Sequence, residues 1–126
     1  MTVKYTVVAR RKPGDPPEAS KYYPYVKSSG KVTLRQLAQH IGEISTVSTV
    51  DTIAVLEALL AVIPRELANG NIVQLGDLGS FSLRVRSEGA DTPEAVTAHH
   101  ITKTLTTFRP GKLFKNTLDS ITFEKV

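Results

Sequence analysis

Gly76-Asp77-Leu78-Gly79-Ser80-Phe81, a tight turn that delivers the chain into a strand, decides how the rest of the sequence is read. Beyond it, Phe81, Leu83 and Val85 alternate with Ser82, Arg84 and Arg86, the period-two pattern of a strand with one apolar and one polar face. Residues 87–94, Ser-Glu-Gly-Ala-Asp-Thr-Pro-Glu, make a polar tip. Residues 96–107 are rich in Thr, Val and Ile and read as the returning strand, so the two form a long hairpin. Phe108-Arg109-Pro110-Gly111-Lys112 ends the hairpin, a short helix is predicted over residues 113–118, and residues 121–125 read as a last strand.

Working upstream from the turn, residues 72–75 read as a short strand and Asn69-Gly70 as a helix stop. Ser48 with Asp51 carries a helix-start signal, and the apolar residues from Val50 to Leu67 place aliphatic side chains on nearly every side of the helix that follows. Such a helix must be wrapped by other elements. A chain this short offers few, so a second copy is expected to supply the missing surface. Pro64 is expected to kink or re-start the last turn. Thr33 and Gln36 have capping-box spacing, and Leu34, Leu37, Ala38 and Ile41 recur at helical intervals, which predicts an earlier helix over residues 34–43. At the amino-terminal end, residues 3–10 alternate as a strand, and Pro13, Gly14, Asp15, Pro16 and Pro17 break it. Residues 21–27, with Tyr22, Tyr23 and Tyr25, return as a strand that Pro24 confines to an edge or a bulge. The three tyrosines are read as packing and edge protection before base stacking. Residues 3–10 and 121–125 are expected to be neighbouring strands near the dimer base.

With 126 residues the chain has room for one domain plus an appendage, which excludes a large multi-domain enzyme. Its 40% hydrophobic and 22% charged residues are enough to build a core. No cysteine is present, so disulfides, thiolate metal sites and cysteine nucleophiles are excluded. No apolar run reaches the roughly 18 residues that mark a membrane span, and a cytoplasmic protein is expected. Neither a Ser-His-Asp set nor a paired-carboxylate or P-loop signature appears, and His99 and His100 are adjacent on a predicted strand, where they would face opposite ways. No enzyme activity, catalytic residue, metal, cofactor or small-molecule substrate is expected. The net charge of +4 is unevenly placed: residues 1–30 carry six cationic side chains against two acidic ones, and the remainder is close to balanced.

Helix, helix, short strand, the Gly-Asp-Leu-Gly-Ser-Phe turn, a two-stranded arm with Pro93 near its tip and the closing Phe-Arg-Pro-Gly-Lys segment resemble the HU and IHF family of bacterial histone-like DNA-binding proteins. The resemblance covers residues 31–118. With residues 1–30 and 119–126 included, the chain is similar to the extended HU-related proteins of Bacteroides-type bacteria. It implies an α+β fold: an intertwined dimer with a helical base and β-hairpin arms, here with an added amino-terminal β-hairpin over residues 1–30 and a carboxy-terminal strand over 119–126. It also implies a homodimer that binds and bends double-stranded DNA with little sequence preference and resides in the nucleoid. Carried onto this chain, Pro93 falls where the family inserts a wedge between base pairs. Arg84 and Arg86 match basic positions of the outgoing arm strand and Lys103 one of the returning strand, while Arg109, Lys112 and Lys115 match residues that meet phosphates beneath the arms.

The chain departs from that pattern at the tip. Residues 87–102 hold no Lys or Arg and carry Glu88, Asp91 and Glu94. Contacts are therefore expected to shift towards the base of the arms and the basic extension, and Pro93 reads equally as a turn residue. The alternative function is an HU-fold protein-interaction or structural dimer with weak or no DNA binding.

Overall fold

The structure, a computed structural model, describes residues 1–126. The chain divides into two compact units, one formed by residues 1–33 with 117–126 and the other by residues 34–116.

The larger unit starts with two helices, α1 (Leu34–Ile44) and α2 (Thr49–Ala68). Ser48 caps α2, its hydroxyl accepting the Asp51 N–H at 3.1 Å, and Asp51 places a carboxylate in the positive first turn. At the other end Asn69 is the cap and Gly70 takes φ +84°. The Gly70 N–H reaches the Leu67 carbonyl at 2.9 Å and the Asn71 N–H the Glu66 carbonyl at 3.0 Å, which satisfies two carbonyls that the helix leaves open. The helix runs on through Pro64 as one element, so the expected re-start does not occur.

Three strands follow: β3 (Val73–Gln74), β4 (Gly79–Ser87) and β5 (Ile101–Pro110), hydrogen-bonded in that order as an antiparallel sheet. The returning strand starts later than predicted. Residues 96–99 do not join the ladder, because local caps compete for their backbone, and His100 contributes only its carbonyl, which accepts the Glu88 N–H at 2.8 Å. Short 3-10 turns occupy Pro93–Ala95 and Ala98–His100, and the Thr97 N–H donates to His100 Nδ1 at 3.1 Å. His99 and His100 thus lie in a 3-10 turn ahead of β5 and not on the strand predicted for them, with His100 part of the cap. Helix α3 (Lys112–Asp119) closes the order, and the unit boundary falls within it.

The core of this unit is thin. Helix α1 packs on α2, and α2 on β3 and β4. Ala38 and Leu67 are the buried hydrophobic residues, whereas Val50, Val55 and Leu60 on α2 remain 76%, 66% and 61% exposed. Phe81 and Phe108 pair across β4 and β5 with ring centroids 4.8 Å apart, and Phe114 of α3 meets Phe108 edge-on at 5.6 Å. That cluster fixes the root of the β4–β5 arm to the helix beside it.

The smaller unit is a three-stranded sheet of β1 (Thr2–Arg10), β2 (Lys21–Val26) and β6 (Thr122–Lys125), with β1 in the centre. β2 runs antiparallel to β1, from Tyr5 opposite Val26 to Arg10 opposite Lys21. β6 runs parallel to β1, from Thr2 beside Thr122 to Tyr5 beside Lys125. The first and last strands are therefore neighbours, as their alternation led one to expect. Tyr22, Tyr23 and Tyr25 are all exposed on β2, which is an edge strand of this sheet.

Candidate nucleic-acid interface

The root of the arm is built from the two motifs quoted above, brought backbone against backbone. Gly79 begins β4 opposite Pro110, and the Gly111 N–H donates to the Leu78 carbonyl at 3.0 Å. Neither glycine tolerates a side chain. A Cβ on Gly111 would strike the Asp77 carbonyl, and one on Gly79, which sits at φ +147°, would lie 2.5 Å from the Arg109 carbonyl oxygen and 2.7 Å from the Phe108 ring. This close approach fixes the register of β4 against β5, and that register sets which side chains share a face.

Directly opposed residues of an antiparallel pair project to the same side. Ser80 opposes Arg109, Ser82 opposes Thr107, Arg84 opposes Leu105 and Arg86 opposes Lys103. Four of the residues singled out from the sequence, Arg84, Arg86, Lys103 and Arg109, thus lie on one face of the ribbon. Phe81, Leu83 and Val85 lie on the other. From Lys103 to Arg109 the stripe runs about 20 Å at the usual rise of an antiparallel strand. Arg86 and Lys103 are like charges placed directly across from one another, an arrangement that costs stability unless an anion lies over it. Ser80, Ser82 and Thr107 add hydroxyls suited to phosphate oxygens, and Leu105, half-buried, is the apolar member of the same face. Sequence reasoning missed them, since only the cross-strand register shows that they share the cations' side.

A bulge ends the stripe. The register shifts between Arg86 and Ser87, and the Thr102 hydroxyl donates to the Arg86 carbonyl at 3.2 Å. Beyond it come Glu88, Asp91 and Glu94, all exposed. Pro93 is exposed too and opens the first 3-10 turn, within the irregular connection and outside both strands.

At the root, Arg109 lines a hollow of about 330 Å³ with Gln74, Gly76, Gly79, Ser80, Pro110 and Gly111. Lys112 is the first residue of α3 and Lys115 lies one turn on, both exposed. No acidic residue occupies the first turn of α3. A cation there opposes the helix dipole by about 0.3–1 kcal/mol, so Lys112 raises the positive potential of this end at a cost to the helix. No helix of the chain is long and apolar enough to cross a membrane.

Two α-helices, a short strand and a long two-stranded arm with cations at its root define an HU fold. The Anabaena HU–DNA cocrystal structure matches with a TM-score of 0.55 and 25% identity, covering 70% of this chain and 98% of that one. A crystal structure from Bacteroides vulgatus ATCC 8482, described as that of a candidate bacterial DNA-binding protein, matches with a TM-score of 0.66 and 13% identity over 99% of this chain. The present chain spans 48% of that protein's length. No curated protein matches. A family model described as an HU domain fused to a wHTH, Ig or glycine-rich motif matches residues 1–125, and the chain belongs to this HU-HIG family.

Proposed function

We propose that the protein is a histone-like architectural factor of the cytoplasmic nucleoid that binds and bends double-stranded DNA as a homodimer, with little regard to sequence. The observation that carries this reading is the alignment of Arg84, Arg86, Lys103 and Arg109 on one face of the β4–β5 ribbon, with like charges opposed. A ribbon of this kind suits a groove, where its cations neutralise phosphates and release counterions without reading base edges. Arg109, Lys112 and Lys115 form the saddle beneath, and Pro93 is the wedge. Self-association is supported by α2, whose exposed aliphatic side chains need a cover that residues 34–116 do not provide. The HU–DNA cocrystal structure supports DNA as the partner.

The test is a band-shift titration on linear, nicked and pre-bent duplexes. Binding is expected at low salt and should weaken steeply as salt rises, with a logarithmic slope of about −5 or steeper if the dimer meets half a dozen phosphates or more. No binding at low salt would exclude the reading. Sedimentation should give a dimer.

A second reading is favoured by one specific observation. The arm between the bulge and Thr102 is acidic and holds no cation, which suits a protein-interaction or structural dimer that makes little use of DNA. A stable dimer that fails to shift any duplex at low salt would establish it over the first.

A further inference from the structure

The amino-terminal sheet carries a second cationic concavity that the arm does not use. Arg10 ends β1 directly opposite Lys21, which begins β2, so two like charges stand across from each other on one face at the end of the sheet. Arg11 and Lys12 follow at once. With Pro13, Asp15, Ala19 and Tyr23 these four cations line an open hollow of about 590 Å³. They face a single carboxylate there, that of Asp15, and all four are exposed.

The segment that holds them is stiff. Lys12-Pro13-Gly14-Asp15 is a tight turn with proline at its second position and glycine at φ +88° at its third, closed by the Asp15 N–H on the Lys12 carbonyl at 3.1 Å. Pro16 and Pro17 lead into a 3-10 turn, in which the Ala19 N–H meets the Pro16 carbonyl at 2.9 Å. Arg11 Nη1 donates back to the Asp15 carbonyl oxygen at 3.0 Å, which anchors its guanidinium over the loop. Three prolines in a short connection reduce the entropy lost on binding, because the backbone that carries Arg11 and Lys12 is already held in place.

We propose that this hollow binds the phosphodiester backbone of DNA, as a second contact separate from the arm and its saddle. Several cations spread over an open rim suit successive phosphates of a polymer better than one enclosed phosphate ion. The choice of DNA as the polyanion rests on the proposed function, but the residues belong to the other unit of the chain, so the two contacts can be tested apart.

The full chain is compared with a hairpin variant (Arg11→Ala, Lys12→Ala, Lys21→Ala), a saddle variant (Arg109→Ala, Lys112→Ala, Lys115→Ala) and the combination. Each is titrated by anisotropy against a labelled duplex and the matching single strand over a range of salt. The hairpin variant should bind at least one of the two DNA forms about tenfold more weakly at low salt, with a logarithmic salt slope shallower by about 2–3 per chain. The form affected identifies duplex or unpaired DNA as the source of the phosphates. Its melting temperature should be unchanged or slightly raised, because removing Lys21 relieves a like-charge pair. The combined variant should lose binding that the saddle variant retains. Unchanged affinity and slope on both DNA forms would overturn the inference. So would a loss confined to vesicles of phosphatidylserine, which would make a lipid surface the ligand. A weakened saddle variant beside an unaffected hairpin variant would sink this inference and leave the proposed function standing, whereas no binding of the unaltered chain to either DNA form at low salt would sink both.

Discussion

The root and the tip of the arm are parts of one hairpin with opposite electrostatics. At the root, the register forced by Gly79 and Gly111 places Arg84, Arg86, Lys103 and Arg109 on a single face. Past the Arg86/Ser87 bulge, Glu88, Asp91 and Glu94 are the charged groups, and after the Ser87–Ile101 pair and the Glu88 N–H bond to the His100 carbonyl the backbone turns on its own caps. The same β-ribbon geometry thus serves two different surfaces, and the bulge is where one gives way to the other. Fold membership alone would have treated the arm as uniform. The residue-level register argues that the polyanion is met at the root.

The contrast is broken most severely by removing what holds the register. Gly111→Ala should destabilise the protein by about 3 kcal/mol, as an overpacked site does, because its Cβ would meet rigid backbone of Asp77 and Gly79; urea unfolding followed by circular dichroism measures it. A normal midpoint would mean that the two motifs are not locked together as described. The next largest effect falls on binding. Replacing Arg109, Lys112 and Lys115 by Ala should weaken DNA binding about a hundredfold at moderate salt, well beyond the effect of Arg84→Ala, and should flatten the salt dependence. Parity between the two variants would move the centre of contact outward along the arm.

Reversing the tip sharpens the comparison from the other side. Glu88→Lys with Asp91→Lys should tighten binding about tenfold at low salt by replacing repulsion with attraction, an effect that salt should erase. Anisotropy titration at two ionic strengths reads this directly, and an unchanged affinity would mean that the tip never approaches the duplex. Smallest in affinity is Pro93→Ala, expected to change binding less than about threefold while reducing the bend angle measured by energy transfer across the site. Equal bending by the variant would leave Pro93 as a turn residue only.

Much of this fold was legible from local chemistry. Ser48 with Asp51, Asn69-Gly70 and the Gly76–Gly79 turn each specify a terminus through hydrogen bonds made within a few residues, and those termini lie where the sequence put them. The start of β5 was not legible. Thr, Val and Ile favour a strand across residues 96–100, yet the Thr97–His100 cap offers the backbone a competing partner that propensity does not weigh. The parallel pairing of β1 with β6 joins residues at opposite ends of the chain, where no local signal gives direction. In the site, the basic residues were visible individually. That four share a face, with Ser80, Ser82 and Thr107 among them, depends on a register set by two glycines. The Arg10–Lys21 opposition was hidden for the same reason, since it requires knowing how β1 and β2 align.

The central claim is that DNA is held chiefly by the cations at the root of the arm, the acidic tip adding little to affinity. A photo-crosslinking side chain placed at Ser82, between the cations of the root face, and separately at Thr92, beside Pro93 at the tip, tests it most directly on bound duplex. Strong crosslinking from position 82, at least equal to that from position 92, is the predicted result. Crosslinking from position 92 with none from position 82 would contradict the account.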